Sequence, residues 1–255
     1  MKRQMEEPRS ILITGASSGL GAALARLYAG PGVHLALTGR NSERLDTVAR
    51  ACREHGAEVL TATLDVTERA ALAGFLAQAD SAGPLDLVIA NAGIDGWGLE
   101  GHERYYRTFE VNVTGVLNTV LPAIDLMLPR RRGQLALMGS LAGYRGMATA
   151  PAYSTSKAAV RALGEALRGR LARDGIAVSV ITPGFVATPM TEGSKLPMPF
   201  RWPAERAARH IRRRLARNQG RIAFPWQLYT AVWLISAMPS WLADRLMMAS
   251  PRGKY

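Results

Sequence analysis

The chain has 255 residues, of which 48% are hydrophobic and 20% charged; this is enough apolar material for a sizeable core and excludes extended disorder. Its single cysteine, Cys52, excludes an internal disulfide and a cysteine-based zinc site, and we expect no metal site. The formal net charge is +12, and eight arginines against one glutamate concentrate it between Arg201 and Arg221.

The N-terminal stretch from Met1 to Ser10 is charged and leads directly into the short apolar run Ile11–Ile13. A secretory signal needs an apolar region of about 7–15 residues, so this stretch does not form one. The sequence therefore predicts a cytoplasmic protein.

Short apolar runs alternate with stretches of helical length along the chain. The runs are continuously apolar, which is typical of strands buried on both faces of a parallel sheet. The predicted strands are Ser10–Thr14, His34–Thr38, Glu58–Leu64, Leu85–Ala90, Gly133–Gly139, Ala177–Thr182 and Arg221–Ala223. The predicted helices are Gly19–Ala29, Ser42–His55, Glu68–Ala82, Arg104–Leu128 and Ser154–Asp174. This order predicts a Rossmann-like α/β fold with a doubly wound parallel sheet, in one domain over 1–255 with its core at about 10–190.

A glycine-rich turn lies between the first strand and the first helix. Glycines let the backbone approach a pyrophosphate closely, and the following helix directs its N–H groups at the anion. The predicted phosphate-binding residues are Gly15, Ser17, Ser18, Gly19, Leu20 and Gly21. A glycine-rich turn alone is a weak indication, but its place between a strand and a helix strengthens this one.

The end of the second strand indicates which dinucleotide binds. NAD-binding folds carry an acidic residue there for the ribose 2′-hydroxyl, whereas this chain has Gly39 followed by Arg40. A guanidinium can bind a 2′-phosphate through paired hydrogen bonds. The sequence therefore favours NADPH over NADH; the alternative is that Arg40 only opens a solvated loop.

Tyr153 and Lys157 are four residues apart at the start of a predicted helix, so they share one face. A nearby ammonium stabilises a phenolate and lowers the tyrosine pKa from its usual value of about 10. Ser140 ends the fifth predicted strand, from which a loop can return its hydroxyl to the same pocket. By spacing alone, these three residues are only a weak indication of a proton-transfer site.

Together these motifs resemble the short-chain dehydrogenase/reductase family, single-domain type, from about Ser10 to Met190. The resemblance rests on the Thr14–Gly21 turn and, further along, on Asp65-Val66, Asn91-Ala92-Gly93, Asn112, Ser140, Tyr153, Lys157, Pro183-Gly184, Val186 and Thr188. It implies an NADP(H) site in which Asp65 and Val66 receive the adenine ring and the residues from Pro183 to Thr188 contact the nicotinamide carboxamide. Asn91, Ala92 and Gly93 complete the implied site.

The resemblance also implies roles for the catalytic set. Tyr153 is the implied general acid in reduction, and Lys157 lowers the pKa of Tyr153 and holds the ribose hydroxyls. Ser140 polarises the substrate carbonyl. Asn112 holds a water that links Lys157 to solvent; alone, Asn112 could equally bond a neighbouring carbonyl at a helix bend.

The residues that line the substrate pocket are predicted from the loops. The predicted lining residues are Ile94, Trp97, Leu141, Tyr144, Met147 and Met190. The stretch 190–202 predicts a mobile lid, whose apolar side chains are Met190, Leu196, Met198, Phe200 and Trp202, and this favours a lipophilic substrate.

A C-terminal extension, 203–255, follows the lid. Pro203 is predicted to begin a helix that ends near Gly220, with an apolar stripe of Ala204, Ala207, Ala208, Ile211 and Leu215. Its arginines indicate a solvated face or an anionic lipid surface more than nucleic acid, and we expect no nucleic-acid partner.

The last apolar run, Leu228–Met238, lies within the Trp-rich segment Trp226–Met248 and is about half of what a spanning helix needs. The segment could lie on the inner face of a membrane, through 201–248, cover a subunit interface, or pack on the lid. We expect a homodimer or homotetramer, although the extension puts the usual tetramer in doubt.

The sequence as a whole predicts an NADPH-dependent oxidoreductase that reduces a ketone or aldehyde. The alternatives are an NAD-linked alcohol dehydrogenase and a non-catalytic NADPH-binding sensor or membrane-surface protein.

Overall fold

Seven parallel strands form the central sheet in the computed structural model, which describes residues 5–192 and 197–248. The strands are β1 (Ser10–Ile13), β2 (His34–Gly39), β3 (Glu58–Thr63), β4 (Leu87–Ala90), β5 (Gly133–Met138), β6 (Ile176–Pro183) and β9 (Arg221–Phe224). Their order across the sheet is β3-β2-β1-β4-β5-β6-β9. The order reverses between β1 and β4, as in a doubly wound sheet. The predicted Rossmann-like fold is confirmed.

Helices cover both faces of this sheet. One face carries α1 (Gly19–Tyr28), α2 (Ser42–Glu54) and α7 (Ala204–Leu215), and the other carries α3 (Arg69–Ala82), α5 (Gly115–Met127) and α6 (Pro151–Leu171). Strands β1, β4 and β5 are buried at every position, because helices pack on each side of them. Because the strands of this sheet are parallel, their carboxyl ends lie at the same edge of the sheet.

The predicted helix Arg104–Leu128 is interrupted at Asn112. The structure has α4 (Glu103–Phe109), a π-helical turn (Glu110–Thr114) and then α5. The Asn112 amide bonds the backbone of Ile94 and the hydroxyl of Ser156, so the turn widens where this side chain is held by the end of β4 and by α6. Single π turns inside α-helices are frequent at functional sites.

The segment predicted as a lid has two different halves. Met190 and Met198 line the cavity described below, whereas Trp202 stacks on Phe224 with ring centroids 5.0 Å apart. Trp202 also belongs to β8 (Trp202–Pro203), which pairs with β7 (Val186–Ala187). The prediction that Trp202 belongs to a mobile lid is therefore wrong. Leu196, another predicted lid residue, lies outside the described residues.

The basic helix α7 is shorter than predicted. Pro203 precedes its first residue, and the helix ends at Leu215, because the chain turns at Asn218, whose φ is 47°. The predicted apolar stripe is confirmed: all five residues are buried, and the helix packs on α1. Two arginines of the basic stretch make ion pairs, Arg212 of α7 with Glu7 and Arg221 of β9 with Glu165.

Two further helices follow the last strand, α8 (Trp226–Ala237) and α9 (Ser240–Met248). Helix α8 packs on β9 and on the 3₁₀ turn Leu141–Gly143, so it lies over the carboxyl edge of the sheet. Within the described residues, no helix is long and apolar enough to cross a membrane.

Candidate active site

A cavity of about 550 Å³ opens at the carboxyl edge of the sheet, where βα connections from both halves meet. Ligands of open α/β sheets bind at this edge, at the point where the strand order reverses. Seventeen of the eighteen predicted cofactor residues line the cavity. Gly21 is the exception: a Cβ there would overlap the carbonyl oxygen of Gly15, so Gly21 permits the tight turn and does not face the cavity.

The turn after β1 leaves the first turn of α1 open to the cavity. Gly15 and Gly19 have φ values of 67° and 55°, which a side chain would strain. Ser18 precedes the helix, and its side chain does not cap the N–H groups of the first turn. Those N–H groups and the positive end of the helix dipole fit a phosphate group.

The motif after β4 holds this turn in place. Asn91 Nδ2 donates to the carbonyl of Thr14 at 2.9 Å, while Thr14 Oγ1 accepts from the N–H groups of Asn91 and Ala92. A Cβ on Gly19 would lie 3.1 Å from Thr188, so the β6 side closes over the turn as well. Three βα connections thus form one cradle.

The end of β2 brings two cations to the cavity wall. Arg40 lines it as predicted, and Arg44 of α2 lines it too. Both side chains are exposed, and the backbone N–H of Arg44 is bonded by Asn41 Oδ1, which caps α2. Arg44 was missed by the sequence reasoning; its position three residues after the N-cap of the second helix was the available indication.

Asp65 lies where the adenine ring is expected, and its carboxylate is held on one side of the cavity. It accepts from the backbone N and the hydroxyl of Thr67 at 3.0 and 2.9 Å and pairs with Arg107. Although burial raises it, the hydrogen bonds from Thr67 and Arg107 bring the pKa of Asp65 below its usual value. The residue is therefore ionised and rigid.

Tyr153, Lys157 and Ser140 converge in the middle of the cavity. Tyr153 and Lys157 lie on the first turns of α6, and Lys157 Nζ is 5.7 Å from the centroid of the Tyr153 ring. Ser140 Oγ follows β5 and accepts from the N–H of Ala142 at 3.1 Å. Because this bond uses a lone pair, the hydroxyl proton of Ser140 can be donated to another acceptor.

Lys157 and Asn112 meet behind Gly93. Lys157 is 3% exposed and donates to the carbonyl of Met138 at 2.9 Å; Asn112 is fully buried and does not itself line the cavity. A Cβ on Gly93 would lie 3.0 Å from Asn112 Oδ1 and 3.2 Å from Lys157 Nζ. Only glycine lets the chain pass between these two polar groups.

Burial is the largest influence on the pKa values of Tyr153 and Lys157. It raises the pKa of Tyr153, a change that the Ser140 hydroxyl opposes and the Asp95 carboxylate reinforces. Burial lowers the pKa of Lys157 to about 8. The direction at Tyr153 is opposite to the one expected from a neighbouring ammonium, because loss of solvation is the largest influence on the Tyr153 hydroxyl.

The substrate half of the cavity is largely apolar. The predicted residues that line it are Ile94, Trp97, Leu141, Met147 and Met190. Tyr144 is not part of the lining, so that prediction is wrong. Its ring packs edge-on against Tyr229 at 5.5 Å and lies under the guanidinium of Arg161, since the 3₁₀ turn directs it beneath α8.

Helix α8 also forms part of the wall of the substrate half of the cavity, which was not predicted from the sequence. Leu228, Val232 and Ile235 line the cavity, and Leu228 reaches the backbone beside Gly184, where a Cβ would lie 2.8 Å from Leu228 Cδ2. Their spacing of four and three residues was the available indication of one helix face. The extension therefore contributes directly to the pocket.

Two charged residues of this half were also missed, Asp95 and Arg145. Both line the cavity, and Arg145 Nη2 pairs with Asp244 Oδ1 of α9 at 2.5 Å.

Among the described residues, no group of three or more histidine, cysteine, aspartate or glutamate side chains could hold a metal ion.

Comparison with known proteins identifies the family. The family model for short chain dehydrogenases matches residues 9–197. An uncharacterised oxidoreductase of Myxococcus xanthus is 36% identical over 92% of this chain and 95% of its own length.

Two solved structures resemble the whole fold. Levodione reductase superimposes with a TM-score of 0.80 and 25% identity, over 89% of this chain and 99% of its own. Actinorhodin polyketide ketoreductase, solved with NADPH, gives a TM-score of 0.77 and 26% identity, over 90% of this chain and 99% of its own. With this fold and this arrangement of Ser140, Tyr153 and Lys157, the chain belongs to the short-chain dehydrogenase family of nicotinamide-dependent oxidoreductases.

Proposed function

We propose that this chain is an NADP(H)-dependent reductase that converts a lipophilic ketone or aldehyde to the alcohol. The observation that carries the proposal is the convergence of Ser140, Tyr153 and Lys157 in one cavity, between a phosphate-binding turn at one end and an apolar chamber at the other.

Each polar side chain at the centre has a task in this reaction. Bound nicotinamide supplies the hydride for the carbonyl carbon. Ser140 donates its hydroxyl proton as a hydrogen bond to the carbonyl oxygen, since its lone pair is already used by Ala142. Tyr153 gives its phenolic proton to the same oxygen as charge develops there. A raised pKa keeps Tyr153 protonated at neutral pH, as a general acid must be.

Lys157 and Asn112 support that proton transfer. The Lys157 ammonium stabilises the phenolate that remains after transfer and holds the ribose hydroxyls of the cofactor. Asn112 orients the backbone of Ile94 and the α6 residue Ser156. We retain the proposal that Asn112 also holds a water that links Lys157 to solvent.

The choice of NADP(H) rests on the end of β2. Arg40 and Arg44 both reach the cavity wall, and no acid stands at position 39. Two guanidinium groups suit a 2′-phosphate, and an acid would repel it. The ketoreductase solved with NADPH is in accord with this choice.

The substrate class rests on the chamber walls. Leu141, Met147, Met190 and the inner face of α8 surround the position of Tyr153 with apolar side chains. Apolar walls with a few polar groups are typical of sites for lipophilic ligands. By their names, the two solved relatives act on a dione and on polyketides, which are carbonyl compounds.

A panel of ketones and aldehydes tests the function, with NADPH and NADH compared at equal concentration and the loss of reduced cofactor as the readout. Turnover with NADPH supports the proposal. Turnover with NADH alone, or only alcohol oxidation with NAD, favours an NAD-linked alcohol dehydrogenase. NADPH binding without turnover of any substrate favours a sensor.

We further propose that the outer face of α8 and α9 binds the surface of an anionic membrane. Trp226 and Trp241 are each 71% exposed and Trp233 is 48% exposed, and none of the three lines the cavity. Tryptophan favours the lipid–water boundary. A homodimer or homotetramer remains the prediction for the assembly.

A further inference from the structure

The substrate half of the cavity contains one acidic side chain that the proposed reaction does not use. Asp95 follows Ile94 in the loop after β4 and lies half-buried in the cavity wall. Its Oδ1 atom accepts a hydrogen bond from the backbone N of Trp97 at 3.0 Å. The hydrogen bonds of the described residues leave the second oxygen, Oδ2, without a partner from another residue.

The arginines near this loop are engaged with other groups. Arg145 pairs with Asp244 at 2.5 Å, and Arg104 Nε donates to the carbonyl of Leu99 at 2.8 Å. In the described part of the chain, Asp95 makes no ion pair. Burial raises its pKa, the direction expected for a carboxyl group that has lost solvent without gaining a cation. Such groups in clefts are candidates for contact with a ligand.

The position of Asp95 relates it to the reacting carbonyl. Asp95 and Tyr153 both line the cavity, and the Asp95 carboxylate contributes to the raised pKa of Tyr153, an effect that weakens with distance. The lining of the same cavity includes Ile94, Leu141 and Met147, which offer no hydrogen-bonding side chain. Because Arg145 is paired with Asp244, and Ser140 and Tyr153 act on the carbonyl, the second carboxylate oxygen of Asp95 is available to another polar group of a substrate.

We propose that Asp95 forms a polar subsite, in which its second carboxylate oxygen accepts a hydrogen bond from a hydroxyl or ammonium group that the substrate carries beside its carbonyl. This rests on the proposed reductase function and narrows its substrates to hydroxy- or aminocarbonyl compounds with an apolar remainder. The hydrogen bond orients the carbonyl toward Ser140 and Tyr153, and it discriminates against compounds that leave Asp95 unpaired.

Three arylalkyl methyl ketones test the subsite; they differ only in the group on the carbon beside the carbonyl, which is a hydroxyl, a primary ammonium or a methyl. The readout is the ratio of kcat/KM for each donor-bearing ketone to that for the methyl compound. A ratio is used because Asp95 also acts on Tyr153, and any effect on proton transfer is common to all three ketones. In the wild-type protein we expect a preference of roughly tenfold to a hundredfold for at least one donor, the range of one hydrogen bond to a charged group.

Two variants remove the subsite. Asp95→Asn keeps the shape and the acceptor for Trp97 N but loses the charge, so the preference for the ammonium compound should disappear. Asp95→Leu removes every polar atom, so the preference for the hydroxyl compound should disappear as well. Glu100→Gln is the matched control, because Glu100 is an exposed acid of the same loop outside the cavity lining.

The outcomes separate the two proposals. Reduction of the methyl ketone without preference for either donor, or a preference that survives both Asp95 variants, overturns the subsite and leaves the reductase function standing. Failure of the wild-type protein to reduce any carbonyl compound overturns both. Thermal unfolding and NADPH titration of each variant show whether its fold and cofactor end are intact; if Asp95→Leu does not fold, the ammonium ratio of Asp95→Asn decides.

Discussion

The side chain of Ser17 fills the space that any side chain on Gly39 would need. A Cβ on Gly39 would lie 2.9 Å from both Cβ and Oγ of Ser17. Ser17 belongs to the turn after β1 and Gly39 ends β2, so this contact joins the two connections at the cofactor end of the cavity. An acid for the NAD ribose cannot be placed at position 39 unless Ser17 moves.

This contact gives the first prediction. Gly39→Asp should weaken the binding of both NADH and NADPH, because the new side chain displaces Ser17 from the turn. Ser17→Gly combined with Gly39→Asp should restore NADH binding but not NADPH binding, since the clash is gone and the acid remains. Fluorescence titration of both cofactors measures the effect. Equal NADH affinity in the single and double variants would contradict the steric explanation.

Arg40→Asp is expected to shift the cofactor preference toward NADH. The variant loses a guanidinium at the cavity wall and places a negative charge there, so we expect NADPH affinity to fall by roughly tenfold or more at low salt. Arg50→Asp makes the same change of charge on the exposed face of α2, outside the cavity, and controls for net charge. If NADPH affinity in Arg40→Asp matches that of the control, Arg40 does not contact the 2′-phosphate.

Tyr153→Phe should leave folding and NADPH binding nearly unchanged while turnover falls by about 10²–10⁴-fold, the usual contribution of a general acid. Tyr144→Phe is the matched control. The Tyr144 side chain packs against Tyr229 outside the cavity, so its hydroxyl should not affect the rate. Retention of more than roughly a tenth of the wild-type rate in Tyr153→Phe contradicts general-acid catalysis by this residue.

The sequence predicted the sheet, and the glycine-rich turn that lines one end of the cavity, because the determinants of both are local. Apolar runs predicted all seven strands of the sheet, and the glycine-rich turn is recognised by its place between a strand and a helix. Features that depend on distant contacts were not predictable. The sequence offered a helix bend at Asn112 as an alternative, but the π turn and its partners Ile94 and Ser156 are set by hydrogen bonds from distant parts of the chain.

The substrate half was the least predictable part for the same reason. Leu141 begins the 3₁₀ turn and Tyr144 directly follows it, but the packing of α8 leaves Tyr144 outside the cavity and Leu141 inside it. Whether Val232 faces a pocket, lipid or another subunit depends on where α8 docks. The spacing of Leu228, Val232 and Ile235 indicates a shared helix face, but it does not indicate what that face contacts, because both faces of α8 are apolar.

Lys157 gives a prediction about stability in the absence of cofactor. Burial lowers its pKa to about 8, below the value of about 10.4 in the unfolded chain. Between these values the unfolded state binds more protons, so the Lys157 contribution to the free energy of unfolding rises with pH. Below about pH 8 the buried ammonium has its full destabilising effect on the protein alone.

Lys157→Met should therefore be more stable than the wild-type protein at neutral pH, and its advantage should shrink as the pH rises from about 8 toward 10.4. Urea unfolding of both proteins without cofactor measures the difference, and the comparison cancels other groups that titrate in the same range. A difference that stays constant across this range would show that the pKa of Lys157 is not lowered.

The last prediction concerns the outer face of α8 and α9. The inner face of α8 lines the cavity, whereas Trp226, Trp233 and Trp241 are exposed and lie outside the cavity lining. Exposed tryptophans suit the boundary between headgroups and acyl chains, and the +12 charge of the chain favours anionic lipid. We expect the protein to co-sediment with anionic vesicles at low salt and to be released as the salt concentration rises, because exposed charges are then screened.

Two variants separate lipid binding from general attraction to the vesicles. Trp233→Ser with Trp241→Ser should abolish co-sedimentation while turnover of a small ketone is kept, because neither side chain lines the cavity. Tyr106→Ser removes an exposed aromatic residue from α4 and should have no effect. If the wild-type protein stays in the supernatant at low salt, the membrane proposal is wrong. A doubled mass in light scattering that the tryptophan variant loses would then assign this face to contact between subunits.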